Sequence, residues 1–156
     1  MRRKDREITD PAKMEDVVRR CVCCRIGFCD QGEVYIVPLN FGYEKKDGVY
    51  TFYFHGAREG RKINLMQASP RVGFEMDTGY ALSPADTACG YGARFLSIIG
   101  NGTASIVEDP EEKIHGLSLL MEHNTGKKDW TFEPEMVDAV TVFKLTVSDM
   151  SCKEHL

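Results

Sequence analysis

The chain has no long apolar segment. None of its hydrophobic runs approaches the ~20 residues that a membrane-spanning helix requires, and no apolar core follows the basic start Met1-Arg-Arg-Lys4, as it would in a signal peptide. Excess positive charge is also absent, because the net charge is −4 and the isoelectric point is near 5.6. A general nucleic-acid partner needs a basic face. These absences predict a cytoplasmic protein with neither a membrane nor a nucleic acid as a partner.

Matched pairs of cysteines are missing as well. A structural zinc site usually combines one Cys-x-x-Cys pair with a second pair of cysteines or histidines. The six cysteines, four of them clustered, are Cys21, Cys23, Cys24, Cys29, Cys89 and Cys152. Only Cys21 and Cys24 have the required spacing, and they lie where a predicted helix turns into a strand. We therefore predict no metal site and interpret the thiols as the buried, reduced groups of a cytosolic protein.

Length and composition indicate one domain with a proper core. The 156 residues are 42% hydrophobic and 28% charged, as is ordinary for a globular protein. No internal repeat or low-complexity segment interrupts them. We assign the domain to residues 10–148, with an N-terminal tail at 1–9 and a C-terminal tail at 149–156.

Three helices are predicted. Asp10-Pro11 and Asp109-Pro110 each combine a capping carboxylate with a proline suited to the first helical position, and the second pair leads into Ile114–Met121. The third helix follows Lys62. It ends before Pro70, because the residue that precedes a proline disfavours the helical region.

Six strands are predicted from runs of β-branched and aromatic residues. They are Cys24–Cys29, Val34–Phe41, Val49–Phe54, Arg71–Met76, Phe95–Val107 and Thr141–Val147. Turn-like residues at 30–32 and 44–48 join the first three into an antiparallel meander. Residues 77–93 show no period and suggest a long surface excursion. The fold class is thus mostly β within α+β, a six-stranded antiparallel split β-barrel with flanking helices. We expect closure, which removes exposed edges; an open sandwich is the alternative.

The stretch His55-Gly-Ala-Arg-Glu-Gly-Arg61-Lys62 joins an apolar run to a predicted helix. Cations at a helix N-terminus oppose the helix dipole, so Arg61 and Lys62 are poorly placed unless an anion lies between them and the exposed N–H groups. A phosphate fits, because it accepts from those N–H groups, from a guanidinium fork and from an ammonium. A solvated polar turn is the alternative interpretation.

Four segments of the chain resemble the FMN-binding split-barrel family related to pyridoxamine 5'-phosphate oxidase, in particular its branch of nitroimidazole-resistance flavoproteins. The resemblance covers roughly residues 10–147. Phe54–Lys62 matches the family's strand–turn–Arg-Lys phosphate loop without gaps. Tyr35–Gly42 is similar to the strand beside the flavin ring, and Ser97–Gly102 to the strand that reaches toward the phosphate bound by the partner subunit. Ser69–Val72 lies where the family has a serine-proline-arginine-valine turn.

The resemblance implies FMN as the cofactor, a homodimer with flavin at its interface, and a set of cofactor contacts. The implied contacts are Pro38, Leu39, Asn40, Phe41, His55, Gly56, Arg61, Lys62 and Ser97. Arg61 and Lys62 would hold the phosphate, and the backbone of 38–41 would meet the polar edge of the ring. Pro38 has no N–H, so the donor comes from Leu39 or beyond; an ordinary edge-strand proline is the alternative.

His55 is the candidate catalytic residue, because histidine can pass a proton to a reduced substrate near neutral pH. Cofactor binding alone, or a plain strand-end histidine, would also explain it. Ser97 departs from the glutamine of the oxidase proper and has a shorter reach. Trp130 is a candidate either to close over a ring or to anchor the dimer. The last residues, 151–156, lack the arginine and histidine with which the oxidase proper holds its substrate, so pyridoxamine phosphate oxidation is not expected.

The sequence therefore predicts an FMN flavoprotein, an oxidoreductase that reduces a small-molecule electron acceptor such as a nitroaromatic compound or a quinone. One alternative keeps the flavin without catalysis, as a sensor or carrier. Another keeps the barrel but binds heme or a deazaflavin; His55 and His115 are conceivable axial ligands, although neither has a partner in the sequence.

Overall fold

The structure, a computed structural model, describes residues 3–155. Its eight strands are β1 Glu7–Ile8, β2 Cys24–Asp30, β3 Glu33–Leu39, β4 Gly42–Lys46, β5 Val49–Gly56, β6 Arg71–Ser83, β7 Gly92–Ile106 and β8 Thr141–His155. Its α-helices are α1 Pro11–Arg20, α2 Arg61–Ala68, α3 Pro110–Thr125 and α4 Pro134–Ala139, and single 3-10 turns cover Lys4–Arg6 and Ala88–Gly90.

The caps of α1 and α3 are those that the sequence predicts. Asp10 Oδ1 accepts from the backbone N–H of Ala12 (2.8 Å) and of Lys13 (3.2 Å). Asp109 Oδ2 accepts from that of Glu112 (2.8 Å). Helix α3 continues beyond the predicted segment until Gly126, whose φ of 70° ends it in the left-handed conformation. The fourth helix, α4, was not predicted. Within residues 3–155, every helix is too short or too polar to cross a bilayer.

All eight strands form one antiparallel sheet in the order β3-β2-β6-β7-β8-β5-β4, with β1 also paired to β8. The split-barrel fold class is confirmed, but the expected closure is wrong, because the hydrogen-bonded path ends at β3 and β4. Other means protect these edges. Strand β3 carries Pro38, which an edge strand tolerates. Strand β4 lies under α3, where Gly42 contacts the backbone of Leu120 so closely that a Cβ would not fit.

Two of the eight strands, β1 and β4, were not predicted. The turn predicted at 44–48 is shorter than expected, because Glu44–Lys46 pair with β5 and only Asp47-Gly48 turn, with φ of 50° and 81°. A partner strand here overrides a weak local preference. The surface excursion expected at 77–93 is mostly wrong for the same reason. Strand β6 continues to Ser83 against β7, past a register shift between Thr78 and Ala81, and the connection is only 84–91.

The sheet also extends past both proposed domain boundaries. In β1, Glu7 and Ile8 pair with Lys153 and Cys152, so the two segments proposed as tails lie side by side. Strand β8 stays paired with β7 as far as His155. Met1, Arg2 and Leu156 lie outside the described residues.

The core shows how strongly the sheet curves. Phe52 of β5 packs edge-on against Phe74 of β6, with ring centroids 5.5 Å apart, although β7 and β8 lie between these strands in the sheet. The inner faces of distant strands therefore share one hydrophobic cluster. A second, smaller cluster lies outside the sheet beneath α3 and α4, around Tyr53, Leu117 and Val137.

Three of the six thiols are buried in the core, namely Cys21, Cys24 and Cys152. Burial raises the pKa of Cys21 to about 12 and that of Cys152 to about 11, so both stay protonated and inert at neutral pH. The interpretation of the cysteines as buried thiols holds for these three but not for the exposed Cys29 and Cys89. Among the described residues no group of three or more His, Cys, Asp or Glu is arranged to hold a metal ion.

Candidate functional site

The candidate site begins where β5 gives way to α2. The inner side of β5 is anchored in the core by Phe52 and Phe54, and its last pair, His55 and Gly56, lies beside the start of β8. The chain then turns through 57–60. Gly60 has φ 135° and ψ 169°, a conformation essentially restricted to glycine, and it directly precedes the first residue of α2. The core-anchored strand and a backbone conformation open to glycine thus set the position of this helix start.

The N-terminus of α2 is open. Gly60 provides no side-chain cap, and the first turn contains no acidic residue. The carbonyl of Gly60 accepts from the N–H groups of Ile63 (3.0 Å) and Asn64 (3.2 Å). Those of Arg61 and Lys62 have no acceptor within the part of the chain that the structure describes. Two unpaired donors and a positive dipole end are suited to an anion.

Lys62 folds back over the end of β5. A Cβ built on Gly56 would lie 2.9 Å from Lys62 Cε and 3.0 Å from Nζ, so the half-buried side chain rests on the glycine backbone. Lys62 makes no ion pair with any residue between 3 and 155. Gly56 and Lys62, two of the predicted cofactor contacts, thus lie against each other, and His55 directly precedes Gly56 in β5; their contact with a cofactor stays a prediction.

Arg61 already has a partner that the sequence did not suggest. Its Nε and Nη2 donate to Asp30 Oδ2 at 3.0 Å and 2.7 Å, and its guanidinium carbon lies 4.6 Å above the centroid of the Tyr35 ring. Asp30 ends β2 and Tyr35 lies in β3, so the β2–β3 hairpin holds the arginine. Nη1 is left without a partner in the described part of the chain. Only the fold could reveal this contact, because Asp30 is separated from Arg61 by 31 residues.

His55 lies on the outer side of β5, beyond Tyr53. Its side chain is exposed and forms no hydrogen bond with the described residues. Its Cα pairs with that of Val142 in β8. An exposed, unbonded imidazole one residue before Gly56 is free to contact a bound molecule, and nothing in the packing requires a histidine there.

Residues 38–41 divide into two parts. Pro38 and Leu39 end the edge strand β3, and half of an edge strand's N–H and C=O groups point away from the sheet. Asn40 is exposed but bonded to the backbone of another segment, and Phe41 turns inward. Asn40 Nδ2 donates to the carbonyl of Val22 (2.9 Å), and Phe41 is fully buried, with its carbonyl accepting from Asn124 Nδ2 (3.0 Å).

Ser97 is not part of this corner within one chain. It lies in β7 opposite Asp77 and Lys153, whereas Ile106, at the other end of β7, lies opposite the residue that pairs with Phe54. Nine residues of strand separate Ser97 from Ile106, a distance of about 30 Å at ~3.3 Å per residue. The phosphate loop and Ser97 therefore occupy opposite ends of the barrel.

Trp130 packs locally in the α3–α4 connection. Its Nε1 donates to the carbonyl of Lys127 (2.9 Å), and Lys127 Nζ lies 4.4 Å from the ring centroid. Both proposed roles, closing over a ring and anchoring a dimer, stay predictions.

An apolar groove runs along the outer face of β3, β2 and β6. Two adjoining cavities of about 440 and 350 Å³ share Gly27, Val34 and Gly73 as lining residues. The side chains of Val34 and Ile36 are 72% and 59% exposed, which is unusual for neighbouring apolar residues on one strand. A larger cavity, about 520 Å³, lies between α1, β4 and α3, away from α2, and charged residues dominate its lining.

A polar network fastens α3 to the outer face of the sheet, at Tyr53 of β5 and Lys144 of β8. Tyr53 Oη lies 3.1 Å from Glu44 Oε1 and 3.2 Å from Glu112 Oε1, and its one proton is shared between them. Lys144 Nζ pairs with Glu112 (2.5 Å), and His115 Nε2 lies 2.9 Å from Glu44 Oε2. Burial opposes ionisation of Glu44, but hydrogen bonds from His115, Lys46 and Tyr53 outweigh it and lower its pKa. These contacts stabilise the fold and do not face α2.

Comparisons with known proteins concern both the family of this chain and its fold. A sequence model of the family described as pyridoxamine 5'-phosphate oxidase matches residues 10–154. The solved structure of a proposed 5-nitroimidazole antibiotic resistance protein from Bacteroides thetaiotaomicron is 33% identical, with a TM-score of 0.81 over 95% of this chain and 86% of that one. A search of curated proteins found no match.

Two further structures share the fold at lower identity. A flavocytochrome from Azotobacter vinelandii is 18% identical, with a TM-score of 0.79 over 100% of this chain and 72% of that chain. An FAD- and heme-binding protein from Mycobacterium smegmatis is 14% identical, with a TM-score of 0.76 over 96% and 73%. At these identities the likeness concerns the fold alone.

Proposed function

The chain belongs to the pyridoxamine 5'-phosphate oxidase family, and we propose that it is an FMN-binding oxidoreductase within that family. In this proposal it is a homodimer with flavin at the interface, and it reduces a small electron acceptor such as a nitroaromatic compound or a quinone.

The observation that carries the proposal is the open N-terminus of α2. Within residues 3–155, the start of this helix carries two backbone donors without an acceptor, the Lys62 ammonium on the Gly56 backbone and an Arg61 Nη1 without a partner. Asp30 pairs with Arg61, but the Lys62 ammonium has no carboxylate partner among residues 3–155, and a cation at the positive end of the helix dipole is unfavourable without an anion. A phosphate group satisfies every one of these donors, so the residues present fit the tail of FMN.

When bound, FMN would supply the redox chemistry, and the protein would supply placement and electrostatics. Arg61 and Lys62 would hold its phosphate. The outward backbone groups of Leu39 and the end of β3 would meet the polar edge of its ring, because β3 is an edge strand. The side chain and the carbonyl of Phe41 would not contact the flavin, because the side chain is buried and the carbonyl already accepts from Asn124.

His55 is the proposed proton donor. It is exposed, lies next to Gly56 and has no hydrogen-bond partner among residues 3–155 that would hold its proton. An imidazole in this position could donate to an acceptor as that acceptor is reduced. This proton transfer would belong to reduction of the acceptor and not to binding of the flavin.

The position of Ser97 supports a dimer. Its distance of about 30 Å along β7 from the α2 corner means that one subunit cannot use both for the same phosphate. A second copy could bring its own Ser97 to that corner. The exposed Val34 and Ile36 offer apolar surface that a second copy would cover. The acceptor class is supported by the 33%-identical protein linked to 5-nitroimidazole resistance.

The test is to purify the protein gently, record its visible spectrum and titrate the flavin-free protein with FMN. We expect flavin absorbance and saturable binding. A colourless preparation that takes up no FMN would refute the proposal. To test catalysis, the bound flavin is reduced anaerobically and then mixed with a nitroimidazole or a quinone. In a reductase, the bound flavin is reoxidised faster than free reduced FMN. Reoxidation at the rate of free FMN would instead indicate a flavin carrier.

The variant His55→Asn separates catalysis from binding. We expect FMN to stay bound, because asparagine keeps a side-chain donor and the phosphate contacts of Arg61 and Lys62 are untouched, together with turnover about 10²-fold lower, the usual scale for a lost general acid. The measurements are an FMN titration and steady-state reduction of the acceptor. Persistent turnover with bound FMN would show that the histidine donates no proton.

A further inference from the structure

Arg61 differs from Lys62 in being held by other side chains. Its Nε and Nη2 edge faces Asp30 Oδ2, at 3.0 Å and 2.7 Å, and one planar face lies 4.6 Å from the centre of the Tyr35 ring. Only the edge that contains Nη1 has no partner in the described chain. An arginine restrained on one edge and one face presents its remaining edge in a single orientation.

We propose that Asp30 and Tyr35 are positioning residues that orient Arg61 toward the phosphate of the flavin. The proposal rests on the proposed function. It adds to that function the part played by the β2–β3 hairpin, which neither the phosphate loop nor the sequence pattern contains. The hairpin acts through Arg61 and makes no contact of its own with the phosphate.

The surroundings of Asp30 suit this role. Its side chain is 27% exposed, against 49% for Arg61, so the carboxylate is the more firmly placed partner. It occupies the last position of β2, where pairing with Glu33 holds the backbone. Holding a long side chain in its bound rotamer before the ligand arrives lowers the entropy lost on binding.

The same carboxylate could in principle act oppositely, as an internal anion that competes with phosphate for Arg61. The geometry favours positioning, because Asp30 uses one oxygen on the Nε side and leaves the opposite edge of the guanidinium open. The two roles predict opposite changes in FMN affinity, so one experiment distinguishes them.

The experiment compares FMN with riboflavin, which has the same ring but no phosphate, by fluorescence titration of flavin-free protein. For Asp30→Asn we expect the Kd for FMN to rise about tenfold and that for riboflavin to change less than about twofold. Asp30→Glu should recover part of the loss. Tyr35→Leu should weaken FMN about threefold, and Tyr35→Phe, which keeps the ring, should not. Asp86→Asn removes an exposed loop carboxylate and is the matched control.

Riboflavin binding doubles as the check that each variant is folded. In an Arg61→Ala background, Asp30→Asn should cause no further weakening, because a positioning residue has nothing left to position. An unchanged or tighter FMN Kd for Asp30→Asn in the otherwise natural chain would overturn the positioning role while leaving the proposed function intact. If the natural protein binds neither flavin, both proposals fail.

Discussion

Helices α2 and α3 begin in opposite ways. Helix α3 starts with Asp109, whose carboxylate caps the N–H of Glu112, followed by a proline and two glutamates that favour the positive dipole end. Helix α2 starts with an uncapped glycine, an arginine and a lysine. One helix start is closed and stabilises the fold, whereas the other is open: its first turn carries no acidic residue, and Asp30 pairs with Arg61 from the β2–β3 hairpin.

The start of α3 is therefore built for stability, and the start of α2 is available for binding. The α3 side also carries the network of Tyr53, Glu44 and Glu112, which fastens that helix to the sheet. The α2 side leaves donors unpaired. Changes at α3 should therefore alter the free energy of unfolding, and changes at the start of α2 should alter ligand affinity.

The largest effect is expected from Arg61→Ala combined with Lys62→Ala. Each charge-assisted bond contributes ~1.5–3 kcal/mol, so FMN binding should weaken by several kcal/mol. The free energy of unfolding should change little, because removing two cations from the positive end of the helix dipole offsets the loss of the exposed Arg61–Asp30 pair. Titration of the flavin-free protein and urea unfolding measure the two quantities. Arg58→Ala, which removes an exposed cation of the same turn, is the control. Natural affinity in the double variant would show that the phosphate is held elsewhere.

At α3 the expected order is reversed. Asp109→Ala removes the cap and should lower the free energy of unfolding by ~1 kcal/mol, with no change in FMN affinity. Urea unfolding gives the first value and flavin titration the second. The comparison would break if this variant weakened FMN binding, or if it left stability unchanged.

A single charge placed in α2 should move stability and affinity in opposite directions. Asn64→Asp adds a negative charge in the first turn, so it should raise the free energy of unfolding by ~0.3–1 kcal/mol and weaken FMN binding severalfold. Gln67→Glu adds the same charge at the C-terminal end of the helix, where it should lower stability slightly and leave FMN binding almost unaffected. Equal effects of the two variants would mean that the helix dipole plays no part.

The smallest effect concerns acid stability on the α3 side. Because its hydrogen bonds lower the pKa of Glu44 below the usual 4.5, Glu44 stabilises the fold above that value, and this contribution is lost as the pH falls through the lowered pKa. Glu44→Gln should therefore be less stable than the natural chain at about pH 6, with the difference shrinking toward about pH 3. Unfolding curves at both pH values measure it. A difference independent of pH would show that the carboxylate charge does not matter.

Much of the fold could be predicted because its signals are local. Asp10-Pro11 and Asp109-Pro110 mark helix starts, and the apolar runs mark six strands, all of which are present. The two missed strands have no such signal. Glu44–Lys46 are charged and become a strand only because β5 pairs with them, and Glu7–Ile8 are too short to recognise. Helix α4 has only six residues.

The candidate site also has a part that could be predicted from the sequence and a part that could not. The corner formed by His55, Gly56 and Lys62 is continuous in sequence, so its residues could be named in advance. The pairing of Asp30 and Tyr35 with Arg61 could not, because it depends on where a hairpin far away in the sequence folds over the end of the barrel. The burial of Phe41 was missed for a related reason, since α3 and Asn124 decide it.

The helix caps, the strand character of the apolar runs and the cluster of cations after β5 follow from the intrinsic preferences of neighbouring residues. The open sheet, the separation of Ser97 from Lys62 along the barrel and the carboxylate that holds Arg61 follow from the folded arrangement. These outcomes depend on contacts between segments far apart in the chain, and their energies appear only once the sheet has brought those segments together.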